Sequence, residues 1–322
     1  MLKPLLRALA LSTLLGLAGA RAETFPSRQI NIIVPFAAGG PSDVIARLIG
    51  EQMSRRLGQP FINEVVTGAA GTIGTTRAAR AAPDGYTLVM GHMGTHAAAV
   101  ALYPNLGYDP REFVPIGLVL ETPEVLVTRK DLPPNSLREF VAYARENEAK
   151  LNMGHSGVGS ISYVGCLLLN SAIGIHPTLV PFTGSSQVTN ALLGGQIDYF
   201  CDPIVAQMAH VQAHSLKGLA IATGERHPLL PDVPTAAEQG LPQFAAAPFY
   251  ALFAPKGTPA AVVDVLSAAL DQSLDDEGLR KRFADLGSAI PDKSRRGPAP
   301  MAALVKSEIA RLTPILQAAA KK

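Results

Sequence analysis

The sequence predicts an α/β protein of two lobes, each built on a largely parallel sheet with helices on both faces. Three observations predict it. Short β-rich runs alternate with helical patterns along nearly the whole chain. A unit of strand, glycine-rich turn and helix start occurs twice, at Val34–Asp43 and at Met153–Ser162. A length of 322 residues suits two lobes of ordinary size.

The first strand is Ile30-Asn31-Ile32-Ile33-Val34. The helix after it places Val44, Ile45, Leu48, Ile49, Met53 and Leu57 on one face, and Gly58 closes it. Thr87 to Met90 is a strand introduced by the turn Pro83-Asp84-Gly85, and Val125 to Thr128 is another. Ser136 starts a helix that runs through Asn147, and Asn152-Met153 leads into the glycine-rich His155 to Ser160. Then come a helix from about Ser162 to Ile173, a strand at Thr178 to Val180 and a helix from Ser185 to Leu193. A strand at Ile197 to Cys201, a helix to about His214 and a strand at Leu219 to Ala222 continue the alternation. A proline-rich passage, Arg226 to Pro248, interrupts it. Tyr250 to Phe253 reads as a strand returning between the lobes, and helices near 259–273, 276–286 and 301–319 follow.

The N-terminal stretch has the layout of a secretory signal peptide. Lys3 and Arg7 are basic, Leu5 to Gly19 is mostly apolar, and Ala20-Arg21-Ala22 offers small residues where a signal peptidase cuts. Cleavage after Ala22 is expected, with a periplasmic and soluble mature protein. That step removes Lys3, Arg7 and Arg21 and no acid, so a net charge of +2 becomes −1. Such a balance, in a chain without tryptophan, does not resemble a nucleic-acid binder. Cys166 and Cys201 sit in apolar runs and are expected as buried free thiols.

The catalytic and metal motifs in the chain are incomplete. Gly154-His155-Ser156-Gly157-Val158 resembles a nucleophile elbow but ends in valine where glycine belongs; Asp202 and His227 would be its partners. Gly157-Val158-Gly159 lacks the third glycine of a dinucleotide fingerprint. His210 and His214 stand four apart, yet the zincin glutamate is missing and no third ligand is near. The sequence therefore predicts no enzyme, no cofactor and no metal site. A hydrolase is kept as a remote alternative, and a membrane-coupled ligand sensor as a nearer one.

The two glycine-rich turns carry the positive reading. A helix N-terminus presents unpaired N–H groups and about half a positive charge, which favours anions. In open α/β sheets ligands bind at the carboxyl ends of strands, where both turns lie. One anionic ligand held between two lobes is the expectation.

The same residues resemble a known family. Ile33-Val34-Pro35-Phe36-Ala37-Ala38-Gly39-Gly40-Pro41-Ser42-Asp43 is similar to the opening signature of Bug-type, TctC-like periplasmic solute-binding proteins of tripartite tricarboxylate transporters. Supporting segments include Pro83 to Leu88, Leu192 to Asp198, Asp232 to Thr235 and Phe253 to Pro259. The resemblance implies a type II periplasmic-binding-protein, or Venus flytrap, fold: two α/β lobes with a ligand cleft between them. It implies lobe 1 at 23–124, completed by about 247–322, and lobe 2 at 125–246. It also implies a small carboxylate as ligand, membrane transporter subunits as partners, and a monomer.

Carried over, the ligand-binding residues are Phe36, Ala37, Ala38, Gly39, Gly40 and Asp43 in the first lobe, with Thr95 after the Leu88–Met90 strand. In the second lobe they are Ser156, Gly157, Gly159 and Ser160, with Asp202. This sequence departs from the family pattern at Val65-Val66, Ala70, Tyr163, Phe182-Thr183 and Phe249. No predicted cleft residue is Lys or Arg, so the positive potential comes from helix N-termini. A second carboxylate would meet Asp202 unfavourably. A carboxylate bearing a hydroxyl or amine donor is therefore expected ahead of a plain dicarboxylate, unless Asp202 only caps the helix after Pro203.

Overall fold

The computed structural model describes residues 24–320, with side chains through Ala318. The expected signal peptide lies outside the described residues. Strands follow in the order β1 Ile30–Val34, β2 Phe61–Val65, β3 Thr87–His92, β4 Val114–Glu121, β5 Glu124–Arg129, β6 Asn152–His155, β7 Thr178–Pro181, β8 Tyr199–Pro203, β9 Leu216–Ile221 and β10 Phe249–Ala254.

They form two five-stranded sheets, ordered β2-β1-β3-β10-β4 and β7-β6-β8-β5-β9. Each sheet has the same plan. Three strands run parallel (β2, β1 and β3 in one, β7, β6 and β8 in the other), and the fourth position is antiparallel to both its neighbours. Helices between parallel strands are what this plan requires, because parallel neighbours need a crossover. The Pro41–Leu57 helix is one such crossover: Ile45, Ile49 and Met53 bury against Ile30, Ile32 and Val34 of β1. Ile33 points to the opposite face and joins the other core with Val89 and Phe253, as strand alternation dictates.

The chain passes between the sheets twice. Thr122-Pro123 joins β4 to β5, and the proline-rich passage returns to β10, which inserts between β3 and β4. The two passages are sewn together by backbone bonds. The Thr122 amide donates to Pro248 O (3.2 Å), Glu124 to Ala246 O (3.1 Å), and Ala246 to Ala222 O (2.9 Å).

The structure adds elements that the sequence pattern did not predict. β2 is a half-exposed edge strand, and β4 carries Pro115 and Gly117, which break the apolar run; it too lies at an edge, where proline is tolerated. β8 begins at Tyr199, two residues later than expected, and ends at Pro203. Cys166 and Cys201 are buried free thiols.

At the crossing, Glu124 is fully buried, and neither carboxyl oxygen has a partner among the described residues. Gly165, inside the Ile161–Ile173 helix, makes room for it: a Cβ there would lie 1.5 Å from Glu124 Oε2. Gly165→Ala is therefore expected to destabilise the fold by about 1–3 kcal/mol, the usual cost of overpacking. Adding Glu124→Ala should recover part of that loss. Thermal unfolding of the single and double variants checks both outcomes, and an unaffected Gly165→Ala would contradict the packing described.

Candidate functional site

The parallel strands of both sheets aim their carboxyl ends at one place between the lobes. There a cavity of about 30 Å³ is lined by Phe36, Ala37 and Gly40 after β1, His92 at the end of β3, and Tyr250 on β10. The second lobe contributes Ser156, Ser160 and Ser162 after β6, Gly184 and Ser185 after β7, and Asp202 at the end of β8.

Three helices begin at this cavity, at Pro41, Ile161 and Ser185. The amides of Ser42, Ile161, Ser162 and Ser185 have no acceptor among the described residues. Aligned peptide dipoles add about half a positive charge at each start. No Lys or Arg lines the cavity. Its attraction for an anion is therefore a property of the backbone, as at other helix N-termini that hold carboxylates or phosphates.

Side chains set the turns. In the first, Gly39 takes φ 77°, which favours glycine, and its amide donates to Asp43 Oδ2 at 3.0 Å. Arg47 Nε (3.0 Å) and Asn63 Nδ2 (3.3 Å) donate to the same carboxylate, which is nearly completely buried. These bonds hold the Asp43 carboxyl below its ordinary range against the opposing effect of burial. In the second turn Ser160 caps its helix by accepting from the Tyr163 amide (3.2 Å). Ser162 Oγ accepts from the Ser156 amide (3.0 Å) and lies 3.2 Å from the hydroxyls of both Ser156 and Ser160.

Asp202 is buried and faces the cavity. Its Oδ2 accepts from the Ser185 hydroxyl and from Gln207 Nε2 (2.8 Å). Burial outweighs these bonds and pushes its carboxyl up to about 7. Burial, with Asp202 as a like-charged neighbour, pushes Glu124 well above the ordinary carboxyl range. His92 is held neutral, its imidazole pushed down to about 3 by burial. Its Nδ1 accepts from the Gly94 amide (2.9 Å), so the proton resides on Nε2, which makes the ring a neutral donor.

Of the residues singled out from sequence, Phe36, Ala37, Gly40, Ser156, Ser160 and Asp202 meet at the cavity. Ala38, Gly39, Asp43 and Gly159 shape the turns without lining it, and Gly157 faces an adjoining outer space. Thr95 is displaced. It lies in a π-helical turn, Gly94–Ala98, where its hydroxyl accepts from the His92 amide (3.2 Å) and bonds His96 Nδ1 (3.0 Å). That turn leaves His92 at the cavity instead. His92, Ser162, Gly184, Ser185 and Tyr250 were not foreseen; the only available signal was Gly184-Ser185 placed between a strand and a helix. His227 lies against Gly287 and is not among the residues that line the cavity.

The buried acid gives a pH signature with a defined sign. Unfolded aspartate releases its proton near pH 4, whereas folded Asp202 keeps it to about 7. Between these values the unfolded state binds fewer protons, so stability falls as pH rises. The Tm of Asp202→Asn minus that of the wild type should therefore grow from about pH 4 to about pH 7 and then level off. A difference independent of pH would contradict the burial of an ionisable carboxyl there.

Residues 45–320 match the family described as tripartite tricarboxylate transporter family receptor (TctC). MatC (Rpa3494) from Rhodopseudomonas palustris, solved with bound malate, is 46% identical, with a TM-score of 0.88 over 91% of this chain and 100% of that one. The periplasmic binding protein BugD is 36% identical, with a TM-score of 0.88 over 92% of this chain and 99% of its own. Rpa4515 from R. palustris, solved with adipate, is 31% identical, with a TM-score of 0.87 over 92% and 98% of the two chains. With its paired sheets and the cavity between them, the chain belongs to the tripartite tricarboxylate transporter receptor family, the Bug-type or TctC-like solute-binding proteins, and has their two-lobed type II periplasmic-binding-protein fold.

Proposed function

We propose that the chain is an exported, monomeric receptor of the periplasm that binds a small carboxylate between its lobes and delivers it to membrane transporter subunits. One observation carries the reading: three helix N-termini with unpartnered amides converge on a cavity lined by no cation. Together they supply somewhat more than one positive charge in partial dipoles, which matches one carboxylate. Malate and adipate in MatC and Rpa4515 support a carboxylate as the ligand class. A binding role rather than catalysis is supported by the bonding of Ser156, whose hydroxyl pairs with that of Ser162 (3.2 Å) and, among the described residues, with no histidine. Export would follow cleavage after Ala22.

Asp202 is the proposed acceptor for a hydroxyl or amine on the ligand. Its Oδ2 is already engaged by Ser185 and Gln207, while Oδ1 has no partner among the described residues. Malate and succinate differ by one hydroxyl and so isolate this contact. Calorimetry above pH 7, where Asp202 is ionised, should show malate binding more tightly than succinate, by about tenfold for one good hydrogen bond to a charged group. Asp202→Asn should shrink that preference, chiefly by improving succinate. If no hydroxy, amino or plain carboxylate binds, or raises the Tm at saturating concentration, the receptor reading fails. If succinate binds as tightly as malate, only the role of Asp202 fails.

A further inference from the structure

Beside the inner cavity lies an outer one of about 530 Å³. Phe36 and Ser156 line both and stand between them. The inner space of about 30 Å³ is small beside the outer one. It receives the polar head of an acid rather than the whole molecule. The body of an acid anchored there has to extend past Phe36 and Ser156 into the outer space.

The chemistry of the outer lining is one-sided. It contains no charged side chain, and Phe36, Ala70, Val158 and Phe182 make it mainly apolar. Its hydroxyls are those of Thr67, Tyr103, Ser156 and Thr183, and three are already engaged: Tyr103 lies 3.2 Å from Ala69 O and 2.5 Å from Val158 O, Thr183 donates to Gln187 Oε1 (2.5 Å), and Ser156 pairs with Ser162 (3.2 Å). Ala70 sits at φ 49°, a conformation that glycine adopts freely and alanine only at a cost. Its methyl is held against the second turn, where a Cβ on Gly157 would come within 3.1 Å of it.

We infer that the outer cavity is a subsite for an uncharged, apolar group, so that the favoured ligands are monocarboxylates with an aromatic or branched aliphatic body. A second carboxylate placed there would meet no cation, and the amides of Gly71 and Ile73 at the start of the neighbouring Thr72–Ala79 helix are already used on Gly68 O (3.0 and 3.5 Å). A phenyl ring fits with room to spare, since apolar cavities of about 150 Å³ suffice for benzene. This inference rests on the carboxylate-receptor reading and narrows its ligand class.

Malate and phenyllactate provide the test, because they share a hydroxy-acid head and differ in a carboxylate against a phenyl ring. Calorimetry on the mature protein should find phenyllactate at least about tenfold tighter, given the apolar area that the ring buries. Phe182→Arg puts a cation into the subsite and should reduce or reverse that ratio. Val158→Lys, at an exposed turn position, does the same if the first variant does not fold. Malate equal to or tighter than phenyllactate in the wild type overturns the inference while leaving the receptor reading intact. A ratio unchanged in the folded variants also overturns it. Failure of both acids to bind removes the receptor reading and this inference with it.

Discussion

Backbone N–H groups left without partners at the starts of helices are the constraint around which this molecule is arranged. A buried amide without an acceptor is costly, and three helix starts place several of them at one closed space. An acceptor entering between the lobes, as proposed, would satisfy them. Parallel strands bring it about, because each crossover helix must start at the carboxyl end of its strand. Two sheets of the same plan, joined by two passages of chain, then point those ends at each other.

The electrostatics around that space are set by burial more than by pairing. His92 is kept neutral and offers a donor without a charge, while burial pushes Asp202 up to about 7 and Glu124 well above the ordinary carboxyl range. An ionised acid in a cleft without a cation repels a carboxylate, and the raised pKa of Asp202 lessens that repulsion. Gly165 is the packing counterpart of this arrangement, since any side chain there would displace the Glu124 carboxyl.

Much of the fold was legible because periodicity and turn chemistry agree. The β1 strand, its glycine-rich turn and the Pro41–Leu57 helix follow directly from Ile30-Asn31-Ile32-Ile33-Val34, Gly39-Gly40-Pro41 and an apolar face closed by Gly58. Edge strands were less legible: β2 is half exposed, and Pro115 and Gly117 interrupt β4. At the site, the two glycine-rich turns announced themselves, whereas the third helix start, at Gly184-Ser185, has a single glycine and no distinctive cap. Thr95, expected at the cleft, lies in a π-helical turn that follows the strand ending at His92, and local sequence gives no sign of that turn. Glu124 could not be foreseen, because an acid in a strand is ordinarily placed facing water, and only Gly165, forty-one residues away, creates its pocket.

The central claim is that one carboxylate is held by backbone amides of both lobes at once. A crystal structure of the mature protein grown with saturating malate tests it most directly. The account predicts carboxylate oxygens within hydrogen-bonding distance of the Ser42 amide on one side and of the Ile161 or Ser162 amide on the other. Malate bound through arginine or lysine side chains, or touching one lobe alone, would contradict it.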